Sequence, residues 1–256
     1  MCSQRRQGSF NGLWKKMAYF QATMPLCKEE DLPYFFYQMV DYFDNVLHKP
    51  FYISLADAEA VEYLNLDPEK FEVTELDDLK DYLYDGNAMR TLAGKKLHKK
   101  KNRLNGFLKT YEGRYEYRRI CCSDRQEVWQ FMEKWRQQKV ESYENEISLD
   151  YEVAGIHDIL KNCSAFNVPM AGVYIDGELK AFTVGSLNER ENMAVIHIEK
   201  ADPEINGLYQ FINQQFLVHE FPDVALVNRE DDVGMPGLRK AKMELLSGGF
   251  CKKIFG

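Results

Sequence analysis

Asp223-Val-Ala-Leu-Val-Asn-Arg-Glu-Asp-Asp-Val-Gly-Met-Pro-Gly-Leu-Arg-Lys-Ala-Lys242 is the stretch on which the fold turns. Val224 to Val227 reads as a buried strand. Asn228 to Gly234 is a polar loop with three carboxylates and an arginine, and a helix restarts at Pro236 with Leu238, Ala241 and Leu245 along one side. A strand that hands polar groups to a loop just ahead of a helix is a common way to build a site at the carboxyl end of a sheet; the other reading is a charged surface loop closed by a helix cap.

Upstream, Leu208, Phe211, Ile212 and Phe216 fall on one helical stripe, with Asn206 as a cap. Before them runs a meander. Val168 to Ile175 and Glu178 to Leu187 flank the hairpin signal Asp176-Gly177, and Met193 to Lys200 follows. Strict alternation in this third strand puts Val195, His197 and Glu199 on one face and Ala194, Ile196 and Ile198 on the other. The strand–helix–strand order then requires Val224 to Val227 to run parallel to that third strand. After the Pro236 helix come Gly248-Gly249 and a last strand, Phe250 to Phe255.

The opening third is α/β in pattern. Lys16 to Leu26 suits a strand. Asp31-Leu-Pro33 starts a helix with the stripe Leu32, Phe35, Phe36, Met39, Val40, Phe43 and Leu47. Strands are expected at Phe51 to Ser54, Phe71 to Thr74 and Asp81 to Tyr84, with a helix from Ala56 to Leu64. Asp85-Gly-Asn87 marks the boundary between a reduced domain, 1–85, and a larger one, 86–256.

Past that boundary, Leu97, Leu104, Leu108 and Tyr111 form the apolar stripe of a helix whose other sides carry Lys95, Lys96, Lys99, Lys100, Arg103 and Lys109. Such a face is either solvated or binds phosphate from RNA, a nucleotide or a lipid headgroup. Tyr115 to Ile120 reads as a strand. Helices are expected after Asp124, through Val128, Phe131, Met132 and Trp135, and over Asp150 to Leu160.

The chain has 256 residues and a net charge of 33 − 40 = −7, so it is no indiscriminate nucleic-acid binder. Six cysteines show neither a C-x-x-C pair nor zinc-ligand spacing with histidine, so they read as free thiols of a reducing cytosol, with no metal site. Gly8 to Tyr19 is too polar for a signal core, and no apolar run approaches membrane-spanning length. The expected location is cytoplasmic, with peripheral attachment to a membrane left open.

Four segments carry a resemblance. Gly94 to Phe107, Ala194 to Pro203, Gly207 to Asn213 and Asn228 to Lys242, in that order, resemble the DUF2156 family. That family is similar to the C-terminal domain of phosphatidylglycerol lysyltransferases. The resemblance implies an α+β, GNAT-like (acyl-CoA N-acyltransferase-like) mixed sheet flanked by helices, preceded by a shortened second GNAT-like domain at the N-terminus. It also implies transfer of an aminoacyl group from aminoacyl-tRNA to a lipid headgroup or another amine or hydroxyl acceptor. Two alternatives are an acyl-CoA-dependent N-acyltransferase and a non-catalytic RNA- or nucleotide-binding module. No cofactor is firmly implied. Acetyl-CoA ranks below aminoacyl-tRNA as donor, because the turn Glu204 to Gln210 has one glycine where a pyrophosphate cradle needs several open amides.

Glu199, Asp232 and Arg239 are the candidate catalytic residues. Glu199 is either the general base or half of a salt bridge. Asp231 and Asp232 either hold a cationic amine or cap the Pro236 helix. Asn228 and Arg229 are candidate donors to the acyl oxygen. Glu230, Lys242 and Tyr209 complete the substrate-binding set, with Lys242 expected to be partly buried against Glu230 or Asp232. His197 reads as a satisfied core residue. Lys95, Lys96, Lys99, Lys100 and Arg103 are the candidate phosphate contacts.

Overall fold

A computed structural model describes residues 22–140, 146–163, 165–166, 168–244, 250–251 and 253–255. The chain divides into Met1–Asp77 with Lys252–Gly256, and Asp78–Cys251.

In the smaller unit α1 (Leu32–Tyr42) begins with Pro33 in its first turn, where a missing N–H costs nothing. Phe36 drives its packing. The ring sits 5.5 Å from Phe51 and 5.5 Å from Phe71, over a core of Leu32, Ile53, Ala56 and Leu64. β1 (Ala56–Asp57) leads into α2 (Ala58–Leu64), capped by the Asp57 carboxylate. β1 and β2 (Thr74–Glu75) flank the C-terminal strand Lys253–Phe255, both antiparallel to it. Among the described residues, the expected strand at Phe51 to Ser54 reduces to one bridge, Ile53 to Ala22. The expected strand Lys16 to Leu26 lies, up to residue 21, outside the described residues.

The larger unit follows in order: β3 (Asp81–Asp85), α3 (Gly86–Thr91), α4 (His98–Thr110), β4 (Tyr115–Arg119), α5 (Arg125–Val140), α6 (Glu146–Lys161), β5 (Met170–Ile175), β6 (Glu178–Asn188), β7 (Met193–Ala201), α7 (Leu208–Glu220), β8 (Leu226–Asn228), α8 (Pro236–Met243) and β9 (Phe250–Cys251). The sheet order is β4-β5-β6-β7-β8-β3-β9, with β7 and β8 the parallel pair. This is the mixed GNAT-like sheet that the sequence predicts. Among the described residues no helix is long and apolar enough to cross a membrane.

Asp85-Gly-Asn87 is a strand-to-helix joint within the larger unit, not a linker. The Asp85 carboxylate caps the Ala88 amide at 2.6 Å, and a Cβ on Gly86 would stand 2.3 Å from the Val224 carbonyl oxygen. β3 then lies beside β8, so the strand expected in the first domain belongs to the central sheet. The expected final strand also splits. Phe250–Cys251 pairs with β3, while Lys253–Phe255 joins the smaller unit's sheet. The cysteines differ from expectation too: Cys122 is bonded to Cys163, 41 residues on, and Cys27 and Cys121 are free.

One irregularity decides which residues meet. Val184 pairs with Ile198 and Gly185 with Ile196, so His197 is an extra residue in β7. Alternation therefore breaks there. Ala194 and Ile196 pack with Phe216 of α7, but Ile198 joins the opposite core with Val128 and Trp135 of α5. Glu199 turns to the α7 face, where Asn213 meets it. The sequence expectation that Val195, His197 and Glu199 share a face fails at this bulge.

α7 starts at Gly207, whose φ is 87°. A Cβ there would sit 2.2 Å from the Arg103 carbonyl oxygen of α4. The glycine thus serves helix packing, with the Phe107 and Phe211 rings 4.7 Å apart just beyond. Gly207→Ala is expected to destabilise the protein by about 2 kcal/mol or more, through a left-handed φ and a backbone clash. Gly106→Ala, with nothing within 4 Å of its Cβ in the middle of α4, is expected to stabilise by about 0.5–1 kcal/mol. Thermal or urea unfolding reads both, and equal effects would refute the packing account.

Candidate active site

The parallel strands stay together briefly. Met193, Ala194 and Val195 of β7 pair with Leu226, Val227 and Asn228 of β8. Beyond Asn228 the chain follows β3: the Arg229 amide donates to the Tyr82 carbonyl and the Tyr82 amide to the Glu230 carbonyl, each at 3.1 Å. β7 runs on to Ala201 without that partner, so the two strands part. Side chains bridge the opening. Arg229 reaches the Glu199 carboxylate at 2.6 Å, and Asn213 donates to its other oxygen at 2.7 Å. The Glu199 side chain is only 6% exposed. It is thus paired with Arg229, the salt bridge being one of the two readings the sequence left open.

The loop after β8 is held in a costly shape. Glu230 and Val233 have φ of 54° and 44°, and left-handed backbone disfavours such side chains. Two side chains hold it. The Asn228 carboxamide oxygen accepts from the Glu230 amide at 2.7 Å while its NH₂ donates to Asp81 at 3.0 Å. The Lys242 ammonium donates to the carbonyls of Arg229 (2.7 Å), Glu230 (3.4 Å) and Asp231. Burial pulls the Lys242 pKa down to about 8. Arg229 adds to the fall, against the pull of Asp231, Glu230 and Asp232. Its partners are the loop carbonyls, rather than the Glu230 or Asp232 side chain expected from sequence.

Asp232 is 1% exposed and has no oxygen left for substrate. Arg239 grips both oxygens at 2.8 Å, Gly234 donates its amide to one, and the Tyr82 hydroxyl to the other. Burial alone would raise its pKa, but these donors outweigh burial and leave it lowered. Arg239 also pairs with Asp78 at 2.7 Å. Asp231 caps the Val233 amide at 3.1 Å, folding the turn. Neither carboxylate caps α8, whose first turn follows Met235 with no side-chain cap. Tyr209 packs against the α4–α7 core.

His197 is not a core residue. It is exposed and lies between the Ser186 hydroxyl and the Glu230 carboxylate, 2.8 Å from each. Of the basic helix, Lys95, Lys96, Lys99 and Arg103 are exposed, joined by Lys101. Lys100 is buried and paired with Glu244 at 3.2 Å, so it does not stand with them.

Sequence reasoning missed Ser186, Asn213, Tyr82 and Asp78. The alternation in Asp81-Tyr-Leu-Tyr-Asp85 was the available signal for β3, since a strand with polar groups at every other place lines something polar.

Lys242→Met keeps the length and removes the donor to three carbonyls. It is expected to cost about 2–3 kcal/mol. The pH dependence carries a sign. The folded lysine releases its proton near 8 while the unfolded chain holds it to its ordinary 10.5, so between those values the unfolded state binds more protons. Wild-type stability should therefore rise relative to Lys242→Met over that interval, in denaturant titrations at stepped pH. A constant difference would contradict a buried ammonium.

Residues 15–244 match the family described as phosphatidylglycerol lysyltransferase, C-terminal. The chain is 28% identical over 164 residues to an uncharacterized protein of Mycoplasmoides gallisepticum, a stretch covering 64% of this chain and 51% of that protein. It thus spans about half the length of that curated relative. A conserved protein of unknown function from Bacteroides thetaiotaomicron is 27% identical, with a TM-score of 0.81 over 92% of this chain and 78% of its own. The C-terminal domain (DUF2156) of a lysylphosphatidylglycerol synthetase from Agrobacterium fabrum gives 16% identity and a TM-score of 0.66, covering 91% and 75%. L-PGS from Bacillus licheniformis gives 14% and 0.63 over the same shares. These last two speak to the fold. With nearly its whole length matched, the chain belongs to the family of phosphatidylglycerol lysyltransferase C-terminal domains.

Proposed function

We propose that the protein moves an aminoacyl group from aminoacyl-tRNA to an amine or hydroxyl of a lipid headgroup. The observation that carries the reading is the opening between β7 and β8, where the loop after β8 sets Arg229 on Glu199 and, one residue on, Glu230 on His197. Attack on an aminoacyl ester builds negative charge on the acyl oxygen. A fixed cation lowers the cost of that charge because it need not reorganise. Arg229 is such a cation, aimed by Glu199, which Asn213 holds from α7. His197 is the group able to take a proton from the attacking atom and return it to the leaving ribose hydroxyl.

Coenzyme A fits poorly. In acyl-CoA enzymes of this fold the pyrophosphate lies on open amides at the start of the helix between the parallel strands. Here the glycine of that turn faces the Arg103 carbonyl at a distance that excludes even a methyl group. Exposed Lys95, Lys96, Lys99 and Arg103, in a chain of net charge −7, form a local cationic surface suited to a tRNA backbone.

Radiolabelled aminoacyl-tRNAs offered with vesicles containing phosphatidylglycerol test this directly. Label should appear in the lipid fraction. Arg229→Met should lower kcat/KM about 10²–10³-fold, the loss typical of one oxyanion donor. Glutamate at Lys96, Lys99 and Arg103 together should raise KM for charged tRNA about tenfold or more with kcat little changed, and weaken the salt dependence. Failure of every charged tRNA to label any lipid overturns the reading.

A further inference from the structure

Ser186 of β6, His197 of β7 and Glu230 of the loop after β8 lie in one hydrogen-bonded line. Ser186 Oγ is 2.8 Å from His197 Nε2, and His197 Nδ1 is 2.8 Å from Glu230 Oε1. An ionised carboxylate only accepts, so Nδ1 is the nitrogen that donates to Glu230; in the neutral imidazole this leaves the Nε2 lone pair to accept from the Ser186 hydroxyl. This is the connectivity that makes a hydroxyl nucleophilic.

Two irregularities create the line. His197 is the extra residue of the β7 bulge, and bulges re-aim side chains. Glu230 is held left-handed at φ 54° by Asn228, the Tyr82 amide and Lys242, and that constraint fixes where its backbone lies opposite β7. Strained backbone supported from three sides is a frequent feature of functional sites. An exposed ion pair alone contributes little to stability, so stability does not account for the arrangement. The His197 and Glu230 side chains are 37% and 43% exposed, open to a substrate.

We propose that Ser186 is a nucleophile that carries the acyl group as an ester. Its Oγ–H proton passes to His197 Nε2 as Oγ bonds to the acyl carbon. The bond from that carbon to the leaving oxygen breaks, and the imidazolium returns the proton to that oxygen. The acceptor amine or hydroxyl then attacks the ester, His197 takes its proton, and Ser186 Oγ leaves and recovers one. Only the identity of the acyl group rests on the reading above. The ester step also lets a large donor and a lipid acceptor occupy the site in turn.

The test needs neither tRNA nor lipid. The protein, with Cys2, Cys27, Cys121 and Cys251, the cysteines outside the Cys122–Cys163 bond, changed to serine, is mixed with p-nitrophenyl acetate. A burst of one nitrophenolate per protein is expected, with one acetyl group on the peptide containing Ser186 by mass spectrometry. Ser186→Ala should abolish burst and adduct. His197→Gln should slow the burst by about 10² or more, and Glu230→Gln by about tenfold or more, each with an unchanged melting temperature. No adduct on folded wild type, an adduct that survives Ser186→Ala, or turnover that needs His197 but never labels Ser186 overturns the proposal. Transfer from charged tRNA without any ester on Ser186 would spare the functional reading and sink this one.

Discussion

Everything at the site depends on one ammonium. Lys242 points the end of its chain back from α8 into three successive carbonyls, those of Arg229, Glu230 and Asp231. In that loop the backbone has left β7 and cannot close a ladder on that side, so its carbonyls need donors from elsewhere. A lysine supplies three from one atom, and a buried lysine is tolerable only when such acceptors surround it. Tyr84 fixes α8 in turn, its hydroxyl donating to the Lys242 carbonyl at 3.1 Å. β3, the loop and α8 are therefore one mechanical unit, although α8 and β3 are some 150 residues apart in sequence.

That unit matters because of what β7 does opposite it. A regular strand would leave Glu199 on the Val195 face, away from α7. The extra residue at His197 instead delivers Glu199 to Asn213 and Arg229, and places the imidazole between Ser186 and Glu230. Gly185 permits this, since a Cβ there would come 2.8 Å from the Val195 carbonyl oxygen and 2.9 Å from the Phe216 ring. A one-residue register shift thus assigns two neighbouring polar residues to different tasks.

The order of strands and helices was legible because it rests on periodicity and on Asp176-Gly177, both local. The stretch from Asn228 to Lys242 was legible as a polar loop running into a helix by its mixture of polar types ahead of Pro236. What could not be read were features set by distant partners. The bulge exists only in the pairing of β6 with β7. β3 looked like the end of a first domain because nothing in Asp81 to Asp85 names its neighbour β8. Lys100 belongs by sequence with the exposed cations, and only its packing near Glu244 removes it. Cys122 and Cys163 likewise meet only through the fold.

The three adjacent carboxylates of the loop show why composition could not assign roles. Asp232 is enclosed, with every oxygen engaged by Arg239, Tyr82 and Gly234, so it can neither accept a proton from substrate nor hold an amine without first releasing Arg239. Asp231 is committed to the turn through the Val233 amide, while its carbonyl serves Lys242. Glu230 has its backbone fixed at three points and its side chain exposed, with His197 2.8 Å away. A group can work in a reaction only if it is both held and reachable. Asp232 is held without being reachable, and Asp231 spends one oxygen on the turn. Glu230 meets both conditions, being fixed by its backbone and open at its side chain, where it orients the imidazole.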